Sequence, residues 1–224
     1  MPPYLRPMAP TAARAILCGD PARALLLAQD LIGEPRMSNH HRGLWGYFGR
    51  TAAGTELTVQ ATGIGGQSAV LVLSELAAAG VRSAVRVGSC VSPGGELPLG
   101  SSVVAARLSS GADARRAGGQ PDETLTEALV GAGAGPAEEL LSVERLPRPG
   151  EAAPNEAVAL DLQTAALATE AAACGVAFAA LLVVADSGGE ALEDDPFERA
   201  AIRLGRIAAA VLERTAGPEV STSS

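Results

Sequence analysis

Residues 18–23 (Cys-Gly-Asp-Pro-Ala-Arg) constrain the fold of this chain more than any other stretch. The apolar run that precedes and enters them, residues 15–18, is typical of a buried strand. Gly19 then permits a turn, and Pro21 starts a leucine-rich helix at the position where a proline loses no hydrogen bond. Because the first backbone N–H groups of a helix have no partner within it, they and the Arg23 side chain predict an anion beside this turn.

Composition indicates one α/β domain. Hydrophobic residues make up 47% of the 224 residues and aromatic residues only 3%, which is enough apolar surface for one closely packed core. We expect an irregular N-terminal arm at 1–12, a single domain at 13–214 and a flexible tail at 215–224. Strand and helix patterns alternate through the domain. They predict a central mixed, mostly parallel twisted sheet flanked by helices, with a hairpin between residues 45–50 and 56–62.

Charge and cysteine content exclude several classes of function. The formal net charge of −8 argues against a general nucleic-acid or anionic-membrane surface, so the predicted anion site must be local. Three widely separated cysteines fit neither a disulfide framework nor metal-ligand spacing, and we expect no metal. Since no apolar segment approaches the roughly 20 residues needed to span a bilayer, and the N-terminus lacks a hydrophobic signal core, we expect a cytoplasmic protein.

Arg86 is the most informative single residue. It lies within the apolar strand predicted at 84–88, where an unpaired guanidinium would cost several kcal/mol. Two interpretations follow. Arg86 faces a carboxylate such as Asp20, or it reaches an anion beside Ser89. We favour the anion.

Four short motifs together resemble a known family. They are residues 19–23, 39–43, 62–66 and 86–90, and their order and spacing are similar to those of the hexameric-type nucleoside phosphorylases. This family includes the bacterial purine nucleoside and uridine phosphorylases. The resemblance extends over about residues 13–214 and implies a fold of the phosphorylase/hydrolase type.

The resemblance implies a phosphate site and an oligomer. In the family, Gly19, Arg23, Arg86 and Ser89 would hold inorganic phosphate as a co-substrate, and no further cofactor is expected. Arg42 would reach the phosphate from a neighbouring subunit. The implied assembly is a homo-oligomer whose catalytic unit is a dimer, and a hexamer is one form that the resemblance allows.

The resemblance also assigns a sugar site, with one departure. Leu162 and Gln163, preceded by Asp161, match a Met-Glu pair whose carboxylate takes two ribose hydroxyls in the family. Gln163 has no charge, so its hydrogen bonds to hydroxyls are weaker, and a plain helix-start role for it stays open. Ile64 belongs to the same sugar site, and Tyr4 lies near the position of a family histidine that meets the 5′-hydroxyl.

The resemblance also implies which residues protonate and border the leaving base. In the purine branch an aspartate at the position of Asp186 protonates the base, and an arginine at the offset of Arg199 assists it. The alternative for Asp186 is a cap at the end of a strand or turn. Cys90 and Val91 would border the base, with Val91 replacing a glycine. Residues 62–68, however, look closer to the uridine branch.

The sequence therefore predicts a nucleoside phosphorylase with purine nucleosides favoured. Such an enzyme converts a nucleoside and phosphate into a free base and ribose 1-phosphate or its deoxy analogue. The alternatives are a uridine phosphorylase, a hydrolytic nucleosidase and a non-catalytic nucleoside-binding relative. The arginine set argues against hydrolysis, because water needs no cationic clamp. The expected partners are small molecules and further copies of the chain, with neither nucleic acid nor membrane.

Overall fold

A computed structural model describes residues 3–111, 119–148, 151–154 and 157–215. Of the tail predicted at 215–224, only Thr215 belongs to the described residues, and it ends the last helix. No helix within the described ranges is both long and apolar enough to cross a bilayer.

Strands and helices alternate along most of the chain. The strands are β1 (Arg14–Cys18), β2 (Arg36–Asn39), β3 (Gly46–Arg50), β4 (Glu56–Ala61), β5 (Ser83–Ser92), β6 (Ser102–Ser110), β7 (Ala137–Ser142), β8 (Leu160–Asp161), β9 (Ala177–Ser187) and β10 (Glu190–Ala191). The helices are α1 (Pro21–Leu31), α2 (Gly66–Ala78), α3 (Glu123–Gly131), α4 (Thr164–Cys174) and α5 (Asp194–Thr215), with a short 3-10 helix at His41–Gly43.

The first strand lies inside the sheet, as its apolar sequence predicts. Ile16 of β1 is next to Val59 of β4 on one side and next to Val85 of β5 on the other, and both pairings are parallel. β3 and β4 form the predicted hairpin, with Phe48 opposite Thr58. The edge strand β2 pairs with β3 and follows no clear apolar alternation, so the sequence did not reveal it.

The other half of the sheet closes on itself. β5 and β9 run in parallel along most of their length, and β9 also pairs in antiparallel fashion with β6. β6, β7 and β8 follow in parallel, and β8 returns to β5 through the antiparallel pair of Val91 and Leu160. The α/β class, the mixed sheet and the flanking helices are confirmed. The predicted mostly parallel twisted sheet needs one correction, because part of it closes into a ring through antiparallel pairings. That closure depends on pairings such as that of the two-residue β8, which leave no periodic signal in the sequence.

Helices cover both faces of the sheet. On one face α2 and α4 pack on alternate strand residues such as Leu17 and Phe178. On the other face α1, α3 and α5 pack on the intervening residues, such as Ile16 and Leu181. This alternation is what the period of two along a strand requires, and it leaves the carboxyl ends of β1, β4 and β5 free to build a site.

Two leucines of α2 test which face of that helix is buried. Leu73 is fully buried and Leu71 is 38% exposed. Leu73→Ala should lower the free energy of unfolding by about 2–5 kcal/mol, because it leaves a cavity in the core. Leu71→Ala should lower it by less than about 1 kcal/mol. Urea denaturation followed by circular dichroism measures both, and equal losses would contradict this packing.

Candidate active site

A cavity of about 600 Å³ opens where β1, β4 and β5 end and α4 begins. It brings together most of the site residues that were predicted from the sequence. Its lining residues are Gly19, Asp20, Pro21, Arg23, Gly63, Ile64, Gly65, Arg86, Ser89, Cys90, Val91, Leu146, Leu160, Asp161, Leu162, Gln163 and Ala185.

The turn after β1 presents the Arg23 side chain to this cavity. Asp20 caps α1 by accepting a hydrogen bond from the backbone N–H of Arg23 at 2.9 Å, so that donor is occupied. The Arg23 guanidinium forms no hydrogen bond or ion pair with the part of the chain that is described; its Cζ lies 4.3 Å from the centroid of the Phe197 ring. Burial lowers the pKa of Arg23, but arginine stays protonated at neutral pH.

Arg86 is 5% exposed and is held by three hydrogen bonds. Its Nε donates to Thr164 Oγ1 at 3.0 Å, its Nη1 to Gln163 Oε1 at 2.8 Å and its Nη2 to Asp161 Oδ2 at 3.1 Å. Its carboxylate partner is therefore Asp161, and Asp20 is wrong as the candidate for that role. Because a guanidinium has five N–H donors, two remain for a ligand in the cavity that Arg86 lines.

Both carboxylate oxygens of Asp161 already accept hydrogen bonds from the protein. Its Oδ1 accepts from the Ser142 hydroxyl, and its Oδ2 accepts from the Thr164 hydroxyl at 2.6 Å as well as from Arg86. The backbone N–H groups of Gln163 and Thr164 also point at this carboxylate, which thereby caps the start of α4. The buried carboxylate of Asp161 thus stabilises the start of α4 and holds the Arg86 side chain in place.

Gln163 is also satisfied within the fold. Its Oε1 accepts from Thr62 Oγ1 at 2.9 Å in addition to Arg86, and its Nε2 donates to the Gly63 carbonyl at 3.0 Å. A glutamate here would set a carboxylate oxygen against that carbonyl, since a carboxylate only accepts. The contact explains why an amide fits this position.

Gly88 makes room for the Arg86 side chain. A Cβ at Gly88 would lie 2.5 Å from the Arg86 Cζ and 2.7 Å from its Nη2, closer than real Cβ contacts allow. The glycine in the motif at 86–90 therefore has a steric reason. It lets the guanidinium fold back along its own strand.

Part of the cavity wall is apolar. Val91, Leu160 and Ala185 line it beside Cys90, whose thiol is buried. Burial raises the pKa of Cys90 to about 12, so the thiol is protonated at neutral pH and is not a nucleophile. Ser89 adds a hydroxyl to the wall near Arg86.

Asp186 and Arg199 do not line this cavity, although Ala185 does. The Asp186 carboxylate accepts a hydrogen bond from the Gly189 backbone N–H at 3.1 Å, in the turn between β9 and β10. Arg199 is exposed on α5, and no hydrogen bond or ion pair joins the two side chains within the described ranges. In this conformation Asp186 caps a turn.

Tyr4 and Arg42 lie next to each other outside the cavity. The Arg42 Cζ is 5.5 Å from the centroid of the Tyr4 ring, and the Tyr4 backbone N–H donates to Glu75 Oε1 at 2.6 Å. Arg42 has a φ of 59°, and no other non-glycine residue in the described ranges has a positive φ. Such a conformation is uncommon for arginine and is found most often at functional sites.

Several residues of the site carry no strong signal in the sequence. Thr62 and Gly63 belong to a motif already noted, but Ser142, Thr164 and Phe197 do not. Their roles depend on contacts between distant segments.

The described residues contain no group of three or more His, Cys, Asp or Glu side chains placed to hold a metal ion.

Residues 13–162 match the family described as the phosphorylase superfamily. This match covers more than half of the chain and includes both cavity arginines, so the chain belongs to the phosphorylase superfamily. The predicted family membership is confirmed.

Curated relatives are similar over shorter stretches. A DeoD-type purine nucleoside phosphorylase of Oceanobacillus iheyensis is 39% identical over 80 residues, which is 35% of this chain and 34% of the relative. Its counterpart from Caldanaerobacter subterraneus is 32% identical over 100 residues, or 44% and 43% of the two chains. One from Clostridium novyi is 38% identical over 80 residues, or 35% and 34%. The aligned region thus spans less than half the length of these relatives.

Gly88→Ala tests the close approach of Arg86 to its own strand. The added methyl group should displace the guanidinium from its three partners and lower the free energy of unfolding by about 1–3 kcal/mol. Gly33→Ala is the matched control, because a Cβ there meets nothing within 4 Å. Thermal and urea denaturation of both variants give the comparison, and a Gly88→Ala variant as stable as the control would contradict the packing described.

Proposed function

We propose that this chain is a nucleoside phosphorylase that cleaves the N-glycosidic bond with inorganic phosphate, purine nucleosides being favoured. The observation that carries the proposal is the pair of arginines at one cavity. The Arg23 guanidinium donates to no residue in the described ranges, and Arg86 has two N–H groups left after its three hydrogen bonds. A dianionic ligand beside Gly19 would satisfy both guanidinium groups at once.

The phosphate is the nucleophile of the proposed reaction. One of its oxygens forms a bond to the anomeric carbon, while the bond from that carbon to the base nitrogen breaks and its electron pair leaves with the base. A proton from a side chain or from solvent completes the free base. The arginines hold the phosphate in line, and its negative charge stabilises an oxocarbenium-like sugar in the transition state.

The remaining walls suit the sugar and the base. We assign Leu162 and Ile64 to the sugar, together with the second N–H of the Gln163 amide, since the first donates to Gly63. Asp161 is better described as the partner of Arg86 than as a sugar ligand. The apolar end at Cys90 and Val91 would take the flat face of the base.

A second copy of the chain is part of the proposal. Arg42 and Tyr4 lie together on an exposed surface instead of in the cavity, which supports their acting in the site of a neighbouring subunit. The left-handed backbone at Arg42 supports the same role. The proposed unit is a homodimer or a higher homo-oligomer.

Uridine phosphorolysis is the second candidate. It is favoured by the position of Asp186 and Arg199 outside the cavity, because neither can reach a purine from there without movement. A panel of purine and pyrimidine nucleosides, with and without phosphate, separates the two by chromatography of the released base.

Arg23→Ala tests the phosphate site with little risk to the fold, because the side chain forms no hydrogen bond with any described residue. It should raise the KM for phosphate by about tenfold to a hundredfold, through loss of charged hydrogen bonds. Arg86→Ala should raise it at least as much, and its unfolding must be measured in parallel because Asp161 loses its partner. Arg50→Ala, which breaks a surface pair with Glu56, is the control.

Three results of that assay would contradict the proposal. Unchanged phosphate saturation in both variants would remove the arginines from the site. Turnover without phosphate would indicate a hydrolytic nucleosidase. Nucleoside binding without turnover would indicate a non-catalytic relative.

Asp186→Asn tests protonation of the leaving base. If the Asp186 carboxyl leaves the Gly189 N–H and protonates the purine, the variant should lose about a hundredfold or more in kcat with purine nucleosides. It should lose far less with substrates whose leaving group needs no proton. Glu190→Gln, an exposed carboxylate in β10 directly after this turn, is the control. Equal losses on both kinds of substrate would refute the proton-donor role.

A further inference from the structure

The two arginines at the cavity are held in opposite ways. The guanidinium of Arg86 donates three of its N–H groups to protein partners, all along its edge. Arg23 instead lies over the ring of Phe197, with its Cζ 4.3 Å from the ring centroid. A ring attracts a cation without accepting its hydrogen bonds in the guanidinium plane, so the donors of Arg23 stay available.

Phe197 reaches Arg23 from a separate element. It lies near the start of α5, whereas Arg23 is in the first turn of α1. A small cavity of about 280 Å³ separates the two helices and is lined by both residues, and Arg23 also lines the larger cavity. Arg23 and Asp20 therefore line both cavities, whereas the Phe197 ring lines only the smaller one.

Carboxylates near Arg23 leave its side chain unpaired. Asp20, Asp194 and Glu198 line the same small cavity, yet none forms an ion pair with Arg23. The carboxylate of Asp20 is engaged by the backbone N–H of Arg23. The Phe197 ring thus contacts the Arg23 guanidinium without neutralising its charge, as an ion pair with one of these carboxylates would.

We propose that Phe197 is a positioning residue, which holds the Arg23 guanidinium by its face so that its edge is presented to an anion in the larger cavity. This inference rests on the proposed function in one respect, namely that the anion is phosphate. Phe197 itself does not line the larger cavity. Its loss should free Arg23 to swing toward solvent or toward Asp194 and Glu198.

The test measures binding of inorganic phosphate directly, by titration calorimetry on the full chain, together with phosphorolysis kinetics. Phe197→Leu should weaken phosphate binding about fivefold to tenfold, through loss of the cation–π contact. It should leave kcat at saturating phosphate nearly unchanged. Phe197→Tyr keeps the ring and should restore affinity to within about twofold of the parent. Ile207→Ala, which trims another partly buried apolar contact of α5 with the same core, is the matched control and should bind phosphate normally.

Each outcome decides one question. If Phe197→Leu binds phosphate like the parent, or Ile207→Ala weakens binding equally, Phe197 does not position Arg23 and the phosphorylase proposal stands. If the parent chain binds no phosphate, the proposed function fails and this inference fails with it. If Phe197→Leu does not fold, Phe197→Met provides the same comparison with a flexible apolar side chain.

Discussion

A buried ion pair organises this molecule. The Arg86 and Asp161 side chains are only 6% and 1% exposed, and removing either partner from such a pair typically costs about 3–5 kcal/mol because the other charge is left alone. Arg86 lies within β5 and Asp161 ends the short strand β8 just before α4, so the pair ties β5 to the start of α4. The same carboxylate caps α4. Gly88 is part of this constraint, because a side chain there would occupy the space of the guanidinium.

The cavity therefore contains two cations of different character. Arg86 is immobilised and partly neutralised, and it contributes a fixed wall with limited capacity for further hydrogen bonds. Arg23 donates no side-chain hydrogen bond to the described part of the chain and lies over the ring of Phe197. For the anion proposed above, such a site is ordered before binding and still carries charge to hold it, which is what positioning and electrostatic stabilisation in catalysis require. Gln163 adds to the order by joining Thr62, Gly63 and Arg86.

The parts that sequence could predict are those set by local chemistry. The strand, turn and helix at 15–23 follow from an apolar run, a glycine and a proline, and the hairpin of β3 and β4 follows from two alternating segments. Arg23, Arg86 and Ser89 converge because β1 and β5 are parallel neighbours. Closure of the ring depends on short pairings such as Val91 with Leu160, which have no local signature. Two contacts likewise became visible only in the three-dimensional structure. They are the pairing of Arg86 with Asp161 and the contact of Arg23 with Phe197.

The closed ring also affects how the molecule behaves in a crowded solution. An unpaired sheet edge invites strands of other chains to add to it. Among the described strands only β2 and β10 end the sheet, and both are short. The N-terminal arm runs along the β2 side, where the Met8 N–H donates to the Ser38 carbonyl at 2.7 Å. Little main chain is thus left for intermolecular β-pairing, a protection against aggregation that arises from topology and needs no charged residues on the edge.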